Sequence, residues 1–100
     1  MIVTVFRSNP NTDPAVQAEY RAMAAQLGPL AKTMPGFVSI KRFMAEYGES
    51  CTIVEFEDEA SHRHWVDQPA HGKAMELVKT KAFDSYNIKV CELMYTLSKP

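Results

Sequence analysis

One hundred residues make a single domain, spanning 1–100, with room for one modest core. An apolar share of 46% and a charged share of 23% are those of an ordinary globular chain. A formal net charge of -1 offers no electrostatic case for nucleic acid or an anionic membrane, and apolar runs of only a few residues exclude a bilayer span.

The chain opens with Met1-Ile2-Val3-Thr4-Val5-Phe6-Arg7, without a basic leader or a cleavage-like site, so the cytoplasm is the expected location. Residues 2–7 are rich in β-branched and aromatic types and predict a first strand. Ser8-Asn9-Pro10-Asn11-Thr12 is composed of turn formers and predicts a loop. Asp13-Pro14 then has the form of a helix start, with a carboxylate cap followed by proline at the first helical position. Val16, Tyr20, Met23, Leu27, Leu30 and Met34 follow at alternating spacings of four and three, which is one apolar helical stripe. Pro29 is expected to kink or split that helix near its end.

Residues 37–46 and 50–57 predict two further strands joined tightly at Tyr47-Gly48-Glu49, a hairpin signature. Asp58-Glu59 opens the next helix with a cap and negative charge at the positive end of the dipole. It is expected to end at Trp65 or Val66, and Pro69 to start another running through Val78. Residues 86–97 predict the last strand. The order βαββαβ, with the second helix split at Pro69, is that of an α+β ferredoxin-like fold. In it a four-stranded antiparallel sheet carries its helices on one face.

Two right-handed crossovers place the first strand between the third and fourth. Cys51 and Cys91 are then two strand spacings apart, roughly 10 Å, beyond the reach of about 7 Å that a disulfide tolerates, so both are expected as free thiols. Alternation along the strands leaves both faces of the sheet apolar, for example Ile2 and Phe6 opposite Val3 and Val5 in the first strand, and Cys51 and Ile53 opposite Val54 and Phe56 in the third. Helices of this chain length cover one face. The other predicts a homodimer packed sheet to sheet.

Chemistry concentrates in His64-Trp65-Val66-Asp67-Gln68-Pro69-Ala70-His71, which holds the only tryptophan and two of three histidines. A metal site is not expected. His62 and His64 are two apart, a spacing that points different ways on a helix, and Pro69 breaks the register between His64 and His71. His62 and Arg63 read as a solvated helix face. The four glycines are scattered, with no phosphate-cradling loop or dinucleotide fingerprint, so no flavin or nicotinamide cofactor is expected. His71 shares a helix face with Met75 and Val78 and therefore points partly inward. It is the expected catalytic residue, a general base or hydrogen-bond partner in an apolar pocket. Trp65 and Met75 are its expected walls, with Tyr20 and Tyr86 adding polar tips. The bland alternative is a core tryptophan beside a histidine satisfied by backbone.

Met34-Pro35-Gly36-Phe37 at the second strand, Val54-Glu55-Phe56-Glu57-Asp58-Glu59-Ala60 before the helix, and Trp65-x-x-x-Pro69-x-His71 together resemble the antibiotic biosynthesis monooxygenase family. The resemblance implies a dimeric α/β barrel of ferredoxin-like subunits, each with a pocket between helices and sheet. It further implies oxidation of a small aromatic, phenolic or quinol molecule by O₂ without metal or flavin, with Trp65 and His71 at pocket positions. Ser61 and Ser85 stand where polyketide-modifying members carry an amide or arginine. Met75 stands ten residues after Trp65, where haem-degrading members carry a histidine, and the first strand holds no asparagine among residues 2–7. Members without demonstrated chemistry leave a second expectation, a dimeric binding or structural protein.

Overall fold

A computed structural model describes all 100 residues. In chain order the elements are β1 (Ile2–Pro10), α1 (Pro14–Lys32), β2 (Phe37–Met44), β3 (Ser50–Phe56), α2 (Glu59–Val66) and α3 (Pro69–Leu77). A π-helical turn (Val78–Ala82) and β4 (Phe83–Glu92) complete the chain. The sheet is antiparallel in the order β2-β3-β1-β4, so the α+β ferredoxin-like arrangement is observed. β1 separates the two cysteine-bearing strands, and both thiols are free. No helix is long and apolar enough to cross a membrane.

Pairing partners decide where strands begin and end, and two predicted boundaries move for that reason. Ser8, Asn9 and Pro10 are strand rather than loop. Ser8 is buried between Ser50 and Tyr86, and Asn9 and Pro10 pair with Ser85 and Phe83 of β4 across a register shift. The Asn9 side-chain amide donates to Ser85 Oγ at 3.0 Å. At the other end β4 stops at Glu92, short of the predicted Leu97, because its partner runs out: Glu92 pairs with Ile2, and Leu93 N–H reaches the Met1 carbonyl at 2.9 Å. Beyond it the tail has no neighbour to pair with, and Met94, Tyr95 and Leu97 are 92%, 74% and 89% exposed.

Pro29 lies inside α1 without splitting it. Its missing N–H falls near the helix end, and Leu27, Leu30, Ala31 and Met34 around it pack against the core of Phe56 and Trp65. That core sits at one end of the sheet, where Phe37 and Phe56 meet edge to face at 5.8 Å. Asp58 accepts from Ser61 N–H at 2.8 Å while Ser61 Oγ accepts from Asp58 N–H at 3.3 Å, a reciprocal capping box at the start of α2. Gly36 is pressed against this cap. Its φ of 78° suits glycine, its carbonyl accepts from Glu57 N–H at 2.8 Å, and a methyl group there would run into the Ser61 side chain.

Candidate functional site

Between the helices and the sheet lies a cavity of about 690 Å³. Its floor is the helix-facing side of the strands, including Thr4, Phe6, Thr52 and Val54. Its walls come from α2, with His62 and Trp65, and from α3, with His71 and Met75. Tyr20 closes in from α1, and Lys79 from the π-helical turn. Four of the five expected site residues, Tyr20, Trp65, His71 and Met75, are therefore together. The fifth is not: Tyr86 lies outside the lining, 42% exposed, stacked on Phe6 with ring centroids 6.5 Å apart. It lies two residues along β4 from Ile88, which does line the cavity.

Trp65 is only 7% exposed and belongs at once to the core cluster and the cavity wall. His71 packs edge-on against it, ring centroids 5.3 Å apart. Burial lowers the His71 pKa below the ordinary histidine value, reinforced by the neighbouring His62, while a backbone hydrogen bond at Val66 pulls the other way. His71 thus faces the cavity with its ring against Trp65. Burial likewise pushes the Tyr20 hydroxyl pKa up, against the opposing influence of Arg42. Tyr20 stays protonated at neutral pH, a hydroxyl able to donate.

His62 is the residue that sequence reasoning missed. Far from a solvated face, it is half-buried, lines the cavity, and has Nε2 3.3 Å from Thr4 Oγ1, a hydrogen bond whose direction follows the imidazole tautomer. Its ring also meets Phe56 at 6.2 Å. The signal was available: His62 stands three residues before Trp65, one helical turn along the same face. Arg63 is solvated as expected and pairs with Glu59 at 2.9 Å.

The sequence profile of the antibiotic biosynthesis monooxygenase family matches residues 1–77. The chain belongs to the antibiotic biosynthesis monooxygenase family. No curated protein sequence matches it. Among solved structures, Rv0793 from Mycobacterium tuberculosis superposes with a TM-score of 0.79 at 13% identity, covering 97% of this chain and 98% of its own. A single-site variant of SnoaB, a cofactor-independent oxygenase from Streptomyces nogalater, gives 0.77 at 17%, covering 98% and 97%. At such identities the likeness is one of fold. Within the family fold, Ser61 is taken up by the α2 cap and Ser85 by Asn9, and neither lines the cavity.

Proposed function

We propose that this family member is a cofactor-independent monooxygenase acting on a small phenolic or quinol-like aromatic, bound in the cavity between Trp65, His71 and the sheet. One observation carries the reading. Two histidines and a tryptophan from adjoining helices converge on a single largely apolar cavity of ligand size. An ionised phenol is electron-rich enough to react with O₂ directly. When a phenol becomes a quinone, the ring supplies all the electrons; one oxygen atom enters at the para carbon and the other leaves as water. The protein then needs to orient the ring, hold water away and take up a proton. Trp65 and Met75 supply the apolar walls. His71, as base or hydrogen-bond partner, engages the substrate hydroxyl.

Oxygen uptake with a panel of quinols and anthrone-like phenols tests the reading, comparing the wild type with His71→Ala. A protein-dependent rate that falls about 10²-fold or more in the variant is expected for loss of a group that positions or deprotonates the substrate. Equal rates with and without protein would leave a binding protein.

The same reading includes a second copy of the chain. Val3, Val5, Cys51, Ile53 and the 50%-exposed Phe43 form the sheet face away from the helices. Beyond the Leu93 bond to Met1, the tail with Tyr95 and Leu97 extends from its edge strand with no strand partner in its own chain. A two-fold partner supplies cover for the face and a neighbour for the tail. Sedimentation at micromolar concentration is expected to show a dimer; a monomer there would discard the assembly.

A further inference from the structure

His62 stands where two hollows meet. Together with Val66 and Val90 it lines the main cavity and also a smaller cleft of about 410 Å³ on its other side. The main cavity is mostly apolar, whereas the cleft carries Glu59, Arg63 and Glu92. On the cavity side, Thr4 Oγ1 sits 3.3 Å from the ring nitrogen Nε2. Thr4 is in the middle of β1, paired with Val54 and Val90, so its hydroxyl is a polar spot on an apolar floor. A hydroxyl on the cavity floor, touching an imidazole that also borders the cleft, is placed to pass a proton from one to the other.

We propose that the Thr4–His62 pair, rather than His71, takes the proton of a substrate hydroxyl in the main cavity and delivers it to the outer cleft. The proposal rests on the reading of that cavity as the site of an acidic aromatic hydroxyl. In the step, the substrate O–H bond breaks as its proton passes to Thr4 Oγ1, and the threonine's own proton forms a bond to Nε2. The proton on Nδ1 then leaves to water or buffer in the cleft. The substrate is left as an anion, exchange with solvent restores the starting tautomer, and no electron moves.

The surroundings favour His62 over His71 as the group that carries the charge. On its own helix Glu59 stabilises an imidazolium and Arg63 opposes it; from α3, His71 is the neighbouring titratable ring. From β4, Cys91 and Glu92 border the same cleft, and Tyr20, Glu76 and Lys79 face the main cavity. Burial keeps both rings neutral and ready to accept at pH 7. His71 packs edge-on against Trp65, a contact that suits it to orient the ring.

4-Nitrophenol is a suitable probe, because its anion is yellow and its electron-poor ring does not react with O₂. Its ionisation when bound is read by absorbance in the wild type and in Thr4→Val, His62→Gln and His71→Gln, each checked for folding by circular dichroism. The bound probe is expected to ionise more readily than free probe in the wild type. The rate at which the bound probe ionises after a pH jump, followed by stopped-flow absorbance, is expected to fall about tenfold or more in Thr4→Val and His62→Gln, with binding of the neutral phenol retained. His71→Gln is expected to weaken binding while the bound probe still ionises fast. Thr4→Val, which keeps the volume and removes only the hydroxyl, carries the test should His62→Gln unfold. Fast ionisation lost in His71→Gln and kept in the other two would overturn the assignment, and failure of the probe to bind would overturn it with the cavity reading. Absence of oxygen uptake alongside the expected ionisation pattern would sink the oxygenase reading alone and leave the proton path standing.

Discussion

The two helices that wall the cavity are anchored very differently. α2 starts on a reciprocal capping box and buries Trp65 in the core. α3 starts at Gln68, whose side chain caps nothing in α3; its amide instead donates back to the His64 carbonyl at 3.0 Å, completing the other end of α2. The far end of α3 relaxes into a π-helical turn, tied down by Asn11, which donates from its backbone N–H to the Ala82 carbonyl and from its side-chain amide to the Lys81 carbonyl, and by an exposed Lys81–Glu19 pair at 2.8 Å. One wall is thus fixed by its cap and by Trp65, and the other, uncapped at its start, by the smaller buried side chains Ala74 and Leu77. Wide helical turns of this kind often accompany functional sites. Here the turn brings Lys79 to the cavity.

The sharpest way to break this contrast is to remove the fixed wall. Trp65→Ala is expected to cost about 3–5 kcal/mol in denaturant unfolding, the range for emptying a buried aromatic site. An equivalent truncation of α3, Met75→Ala, acts on a half-buried residue and is expected to cost less than half as much. Gly36→Ala comes next: the left-handed backbone alone costs roughly 1 kcal/mol, and the clash with Ser61 adds to it. The loss should appear together with faster amide exchange in the first turn of α2. Asp58→Ala removes half of the capping box and is expected to lower Tm by less than Gly36→Ala does.

Acid should separate the walls from the cap. The pKa values of His62 and His71 are lowered by folding from an ordinary value of 6.5. Below 6.5 the unfolded chain therefore binds more protons than the folded one, and stability falls as the pH falls, levelling once the folded rings are protonated. Asp58, lowered from 3.8 by its bonds with Ser61, is lost in a later stage below that value. Tm measured against pH is expected to show both stages, and His62→Gln with His71→Gln to flatten only the first. The smallest effect is expected from Gln68→Ser, which shifts a cap from the end of α2 to the start of α3. Net stability should change by under about 1 kcal/mol, while exchange slows in the first turn of α3 and quickens in the last turn of α2.

What was legible in the sequence depended on whether a feature is local. Caps at Asp13 and Asp58, the break at Pro69 and the strand alternations are local, and the element order followed from them. Strand ends are set by distant partners, which is why Ser8 to Pro10 read as loop and Leu93 to Leu97 as strand. Pro29 was judged on its ring alone, without the packing that carries the helix past it. In the site, His71 and Met75 were read from helical spacing and Trp65 from its size beside the Pro69 break, and all three line the cavity. Tyr86 was misplaced because composition ranks an aromatic without saying which end of a strand the cavity reaches. His62 was passed over because it was weighed as a metal partner for His64 and never as a neighbour of Trp65.

Gly36 lines neither the main cavity nor the cleft, yet its place against Ser61 ties the region before β2 to the start of α2. A joint with no slack transmits displacement instead of absorbing it. Any change in how the chain enters the hairpin reaches the first turn of α2, and His62 is the very next residue. Remote variation at residues 34–37 is therefore a means of retuning the site without touching a single group that meets the ligand.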